Sequence, residues 1–345
     1  MPDDFVIRPI RATRKHPYVY ADDYLATMTS SPLIGNEALV VAEAGDLFIG
    51  LDLTSRIAPY RQRDFLRWHA LGVRFAFVIY DMLPYLHPEW FTARSVQSFK
   101  RWLTVLAIHS DAVFCISQTV ASEAGRFSQL AGIERFWFHL GVDVPTTTQQ
   151  SALMEPTAVR GSAYEETNQQ ILMIGTIEPR KGHQLVLDAF ELLWRAGSQA
   201  SLVIVGRPGW AVEALTTRLV THPEFGKRLQ WRRDADDATV EKLYATSHGL
   251  ILASEGEGFG LPIIEAARYR LPLFLRDLPV FREIAHTHAT YFSTTDAAAL
   301  ASKIAMWLDA IAASSAPDSG AIAPLSWHDS ALQLRELIAQ LARLS

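Results

Sequence analysis

Short runs of β-branched and aromatic residues alternate with longer amphipathic stretches along most of this chain, the pattern of α/β units built on parallel sheets. In the first half, residues 47–51, 75–79, 112–116 and 135–139 read as strands, with helices over 61–71, 96–109 and 117–127. Ser117 or Thr119 is expected at the N-cap of the last of these. The second half restarts with strands at 171–174, 202–205, 250–253 and 272–275, and helices over 183–194, 240–246 and from near Pro262. Pro262 suits a first helical turn, where its missing N–H costs nothing.

The chain has 345 residues, enough for two domains at roughly 100–200 residues each. The periodicity lapses in a polar stretch, so the expected division is an N-terminal domain over 1–146, a linker over 147–170 and a C-terminal domain over 171–325. Residues 326–345 carry Leu332, Leu334, Leu337, Ile338, Leu341 and Leu344 at helical spacing, a closing helix expected to pack back toward the first domain.

Composition narrows the function classes. A net charge of −5 without a basic run argues against a nucleic-acid partner. No apolar stretch approaches the roughly 20 residues of a membrane span. The opening residues lack the basic and apolar regions of a signal peptide, so the cytoplasm is the expected compartment, with peripheral membrane contact left open. Cys115, the one cysteine, lies in an apolar run and reads as a buried strand residue.

Two turns at strand ends carry the chemistry. The first is Gly256-Glu257-Gly-Phe-Gly-Leu-Pro-Ile-Ile-Glu265, with carboxylates eight positions apart across a strand–loop–helix junction. Gly258 and Gly260 let backbone approach a ligand, and the helix start offers N–H groups to anions or hydroxyls. Glu265, expected in the first helical turn, suits vicinal hydroxyls such as those of a ribose, and Glu257 suits those of a neighbouring sugar. A capping glutamate on a tight turn would account for the glycines alone. The second turn is Gly175-Thr-Ile-Glu-Pro-Arg180-Lys181-Gly182-His183. Arg180 can fork two phosphate oxygens and Lys181 supplies a mobile point charge, where a diphosphate would lie before a helix N-terminus. Alone, such a pair would be an ordinary surface turn; together the two turns describe a site.

These two runs, with Val203-Ile-Val-Gly206 between them, resemble the retaining glycosyltransferases of family 4, which have the GT-B fold. Leu278-Pro-Val-Phe-Arg-Glu283 and Ser326-Trp-His-Asp-Ser330 resemble the bacterial polysaccharide, mannosyltransferase-like branch of that family. The resemblance implies two Rossmann-like doubly wound domains facing a cleft. It implies that Arg180 and Lys181 bind the donor diphosphate and neutralise the leaving charge, and that Glu257 contacts the transferred sugar. Glu265 would hold the ribose hydroxyls. The amides of Gly258, Phe259, Gly260 and Leu261 would contact sugar and phosphate, with Gly175 beside them. The base would lie near Gly206–Arg207 and Trp231–Asp234. The partners implied are a nucleotide-sugar donor and a glycan or lipid-linked acceptor, with contact to a membrane or to assembly enzymes left open. No cofactor or metal is expected, and the sequence has no Asp-x-Asp pair; His286 and His288 read as surface residues.

In the first half, Tyr80, Asp81 and His87 are the candidates for the acceptor side of the cleft. Related enzymes often carry His before the aspartate, where this chain has Tyr80. Such enzymes also open with a strand and a glycine-rich turn, and neither is seen before Gly45, so a shortened N-terminal domain is expected. This leaves a second reading: a catalytically weak GT-B scaffold that binds nucleotide sugar or a partner enzyme. A dinucleotide oxidoreductase would need Gly-x-Gly-x-x-Gly after a first strand, and the glycines at 256–260 lie after a late strand with different spacing.

Overall fold

The computed structural model describes residues 6–21, 23–24, 38–52, 54–143 and 169–343. It divides into two units, one of Met1–His139 with His328–Ser345 and one of Leu140–Trp327. Apart from Gln169 and Gln170, the expected linker over 147–170 lies outside the described residues, and so does Leu344.

The first unit holds a short antiparallel pair, β1 (Ile10–Arg11) and β2 (Val19–Tyr20). Its main sheet is parallel in the order β3 (Leu47–Gly50), β4 (Arg74–Ile79), β5 (Ala112–Cys115) and β6 (Glu134–Trp137). Helix α1 (Gln62–Ala70) joins β3 to β4, α2 (Ala93–His109) joins β4 to β5, and α3 (Gln118–Ala124) follows β5. Ser117 is the N-cap of α3, its side chain accepting from the Val120 amide at 3.1 Å. The alternation of the sequence becomes an aromatic core here. Phe65 of α1 meets Phe75 of β4 edge-on at 5.4 Å between ring centroids, and Phe48 of β3 meets Phe75 at 5.3 Å. Each such ring removed from water contributes about 1.5–3 kcal/mol. Cys115 is buried in β5, and burial pushes its thiol up to about 12, which leaves it unreactive.

The second unit is a six-stranded parallel sheet comprising β7 (Gln170–Ile174), β8 (Ser201–Val205), β9 (Leu229–Arg232), β10 (Gly249–Leu252), β11 (Leu273–Arg276) and β12 (Thr290–Phe292). Their order across the sheet is β12-β11-β10-β7-β8-β9. The crossover helices are α4 (His183–Arg195), α5 (Glu213–Thr221), α6 (Asp237–Thr246), α7 (Leu261–Arg268) and α8 (Pro279–Ala285), and α9 (Ala297–Ala312) follows β12. The chain moves outward from β7 through β8 to β9, then returns to β10 on the other side of β7. The direction of winding therefore reverses between β7 and β10, and in open α/β sheets ligands bind at the carboxyl ends beside that reversal. Sequence reading had not named β9, β12, α5, α8 or α9.

Helix α10 (Trp327–Leu341) belongs to the first unit from His328 onward. There Ser330 Oγ donates to the His139 carbonyl at 2.7 Å, and an Arg74 guanidinium nitrogen donates to the Leu341 carbonyl at 2.7 Å. No helix among the described residues is long and apolar enough to cross a membrane.

Candidate functional site

The two informative turns of the second unit meet at the reversal point. The turn after β7 carries Arg180 and Lys181 in a single 3-10 turn, Pro179–Lys181, and the loop after β10 carries Glu257. One Arg180 Nη donates to the Gly256 carbonyl at 2.9 Å and lies 3.5 Å from Glu257 Oε2. Lys181 Nζ pairs with Glu257 Oε1, which also accepts from Ser254 Oγ at 2.7 Å. Arg180 Nε lies 3.0 Å from Glu178 Oε2, an ion pair whose angle misses hydrogen-bond geometry. The backbones are tied as well, the Glu255 amide donating to the Arg180 carbonyl at 2.7 Å. Two cations and two carboxylates, each less than one-fifth exposed, thus form a partly desolvated cluster. Such pairs are stronger than surface pairs because less water screens them.

Glycine makes this approach possible. Gly182 is left-handed at φ 74°, and a Cβ placed there would sit 2.5 Å from the Ala253 carbonyl oxygen. Gly206, after β8, packs so closely that a Cβ would overlap the Gly175 carbonyl. Gly260 precedes α7 at φ 105°, and Pro262 lies in the first turn as expected. Phe259 is buried, and the Leu261 amide opens α7.

Glu265 is placed differently from the expectation. Helix α7 starts at Leu261, so Glu265 falls in its second turn rather than its first. There it accepts from the buried Tyr244 hydroxyl at 2.6 Å, with Tyr244 supplied by α6. Burial, then the Glu265 charge, pushes the Tyr244 phenol well above its ordinary range, so Tyr244 stays a donor. If Glu265 is to meet a ligand, Tyr244 fixes one of its oxygens and leaves the other. Glu265→Ala is expected to lower nucleotide-diphosphate affinity by roughly 1–3 kcal/mol, and Tyr244→Phe by less, as measured by titration calorimetry. Unchanged affinity in Glu265→Ala would remove the residue from the site.

The region proposed for a base also comes together. Trp231 Nε1 donates to the Gly206 carbonyl at 3.0 Å, and Arg207 Nε donates to Asp234 Oδ1 at 3.1 Å. Arg207 and Asp234 are both about three-quarters exposed, so their pair adds little stability.

His183, the first residue of α4, is 1 % exposed, and neither ring nitrogen has a hydrogen-bond partner among the described residues. Burial, with Lys181 nearby, drives its pKa down to about 3. The unfolded chain takes up this proton below about 6.5 while the folded chain refuses it, so stability falls as pH drops through 6.5 and levels off near 3. His183→Leu is expected to remove about 1–2 kcal/mol of the stability lost between pH 7 and pH 5, read from urea unfolding at each pH.

In the first unit, Tyr80, Asp81 and His87 all follow the carboxyl end of β4. The Tyr80 hydroxyl donates to the Leu51 carbonyl, Asp81 Oδ1 accepts from the Leu83 amide at 2.9 Å, and His87 stacks on Trp90 with centroids 4.0 Å apart. Sequence reading missed Glu123, on α3. One of its carboxylate oxygens is buried without a hydrogen-bond partner among the described residues. Burial, then the Asp81 charge, raises its pKa. Ser254 and Tyr244 were missed too; Ser254 immediately follows the strand that was read, whereas Tyr244 sits on a helix whose sequence carries no signal for the partner it meets.

Residues 156–313 match the family profile of glycosyl transferases group 1. The chain is 36 % identical over 325 residues to the serotype-specific mannosyltransferase WbdA of Escherichia coli, an alignment spanning 91 % of this chain and 39 % of WbdA. It is 26 % identical over 133 residues to the O-antigen chain mannosyltransferase RfbU of Salmonella typhimurium, spanning 38 % of this chain and 36 % of RfbU. Among solved structures, Anabaena HepE in complex with UDP and glucose superposes with a TM-score of 0.61 at 17 % identity, covering 85 % of this chain and 77 % of HepE. Sucrose-phosphate synthase from Thermosynechococcus elongatus superposes with a TM-score of 0.63 at 17 % identity, covering 87 % and 74 %. The chain thus spans about two-fifths of the length of WbdA. Its residues 156–313 are thus similar to the group 1 glycosyl transferases, and its fold is the one shared by GT-B glycosyltransferases.

Proposed function

We propose that this chain moves mannose, or a similar hexose, from a nucleotide-diphosphate sugar to a glycan or lipid-linked acceptor of a cell-surface polysaccharide, with retention at the anomeric carbon. GDP-mannose is the donor proposed first, because the relatives aligned over most of the chain are mannosyltransferases. The setting proposed is the cytoplasm, at the membrane face where a lipid-linked acceptor would be presented. The observation that carries the reading is the convergence of Arg180 and Lys181 on Glu257 at the reversal point of the donor-side sheet.

That cluster suits donor chemistry. A diphosphate entering beside it would compete with Glu257 for both cations, freeing the carboxylate to accept from sugar hydroxyls. The same cations would then stabilise the charge that grows on the departing phosphate, an effect worth most in a partly dry, preorganised site. The leaving phosphate would take the acceptor proton on the face it leaves, so catalysis would rest on positioning and electrostatics rather than on a protein nucleophile. Arg180 and Lys181 would do the neutralising work that a divalent ion does elsewhere.

The test is to incubate the purified chain with GDP-, UDP- and dTDP-sugars and lipid-linked acceptors and to follow nucleotide release. The anomeric configuration of the product is then read by NMR. Turnover that persists in excess EDTA, with an α-linked product from an α-linked donor, is expected. An inverted product would overturn retention, a magnesium requirement would overturn the metal-free reading, and donor binding without turnover would favour a scaffold.

A further inference from the structure

We propose that the first unit contains a separate anion pocket, lined by Arg14, Arg94 and Arg101, that takes a phosphoryl group carried by a hydroxylated ligand. The cavity is about 490 Å³, lies between the 3-10 turn Ala58–Tyr60 and α2, and shares no residue with the Arg180–Glu257 cluster. Its volume is within the range of small-ligand sites and exceeds what a bare phosphate fills.

Three observations carry the assignment. First, the cations are uncompensated. No Asp or Glu lines the cavity, and among the described residues neither Arg94 nor Arg101 makes an ion pair. All three are exposed and share one open cavity, where they concentrate positive potential on a chain whose net charge is −5. Second, the pocket is held in shape. Arg94, Gln97 and Arg101 recur at helical spacing along one side of α2, whose opposite side is anchored by buried Phe99, Trp102 and Leu106. Ser98 Oγ donates to the Ser55 carbonyl at 3.0 Å, clamping α2 to the turn, and Arg14 Nε donates to the Arg56 carbonyl at 3.0 Å. Third, the remaining lining suits a polyol. Gln62 and Gln97 offer amide donors and acceptors, and Tyr60, half exposed, presents a ring with the Arg14 guanidinium carbon 5.3 Å from its centroid. Guanidinium groups match phosphate oxygens in forked pairs, and three of them suit a dianion better than a single carboxylate.

The phosphoryl group could arrive on a soluble ligand or in a lipid headgroup, and the two are separated by one site-resolved measurement. Arg94 and Arg101 are labelled with phenylglyoxal in the full chain and quantified by peptide mass spectrometry. Labelling is done alone, with inorganic pyrophosphate, with glycerol 3-phosphate, and with phosphatidylcholine vesicles with or without phosphatidylglycerol. Several-fold protection of both arginines by glycerol 3-phosphate or pyrophosphate is the result expected of a soluble ligand. Protection by phosphatidylglycerol vesicles alone assigns the same pocket to a lipid headgroup. The Arg94→Gln/Arg101→Gln variant should abolish binding of glycerol 3-phosphate or of phosphatidylglycerol vesicles, whichever protects, measured by calorimetry or vesicle flotation after its fold is checked by circular dichroism. Arg63→Gln/Arg67→Gln, on α1 and outside the cavity, should bind as the parent does. Protection by none of the probes, or equal loss in both double variants, overturns the proposal. Because the labels are read at Arg94 and Arg101, failure here leaves the donor-site reading untouched.

Discussion

Arg180→Ala is expected to weaken nucleotide-diphosphate binding roughly ten- to hundredfold, about 1.5–3 kcal/mol, and to cut turnover further still. The binding loss follows from removing a fork that donates to phosphate oxygens. The additional loss in kcat follows because charge on the leaving phosphate is greatest in the transition state, where a preorganised donor is worth about 10²–10³ in rate. Arg180 also donates to the Gly256 carbonyl at 2.9 Å, so the alanine variant loosens the glycine loop as well. Arg180→Lys separates the two effects: it keeps the charge and loses the fork, and should recover part of the affinity but little of the rate. Lys181→Ala should be at least as damaging to binding. It deletes a cation and leaves Glu257, at Oε1, with Ser254 and one long contact to Arg180 through Oε2. An under-compensated carboxylate would then face the incoming diphosphate. Calorimetry with GDP and UDP, alongside steady-state kinetics, checks both variants. Arg180→Ala and Lys181→Ala proteins that bind and turn over as the parent does would exclude this cluster from the donor site.

How far the sequence disclosed this arrangement depends on where each signal resides. The strands of the sheet interiors were legible because residues such as 202–205 are apolar without interruption and end at a glycine. The edge strands of the second unit's sheet were not. Leu229-Gln-Trp-Arg232 buries fully only Leu229, and Thr290-Tyr-Phe292 only Phe292, so neither carries an apolar run. Helix α9 is rich in alanine, which fits a core or a surface equally and blurs the helical period. The site shows the same division. Arg180, Lys181 and Glu257 were legible because two turns at strand ends, each ordinary alone, together carry paired cations, glycines and carboxylates. The partner of Glu265 did not: Tyr244 lies 21 positions earlier, and only tertiary packing brings its hydroxyl to the carboxylate. The placement of Glu265 one turn later than expected has a local cause. Gly260 is the N-cap of α7, so the helix begins at Leu261 and counts Glu265 as its fifth residue.

Gly182→Ala should be among the most damaging single methyl groups that can be added near this site. The position needs φ 74°, which costs an L-residue about 1–2 kcal/mol, and the added carbon would lie 2.5 Å from the Ala253 carbonyl oxygen. That contact is with backbone at the end of β10, so no side-chain rotation relieves it. Overpacking of this kind costs a further 1–3 kcal/mol, about 2–5 kcal/mol in all. The clash also has a direction. It pushes the Arg180–Lys181 turn away from the strand end that leads to Glu257, opening the cluster that the contacts of Arg180 and Lys181 hold together. Urea unfolding should therefore show the lower stability, and calorimetry on the folded fraction should show weaker nucleotide binding. A control separates strain from general fragility. At Gly197, also left-handed at φ 95°, an added Cβ meets nothing within 4 Å, so Gly197→Ala should carry the backbone cost alone and leave nucleotide affinity unchanged. If Gly182→Ala and Gly197→Ala lose equal stability and bind nucleotide equally well, the close approach at Ala253 does not hold the site together.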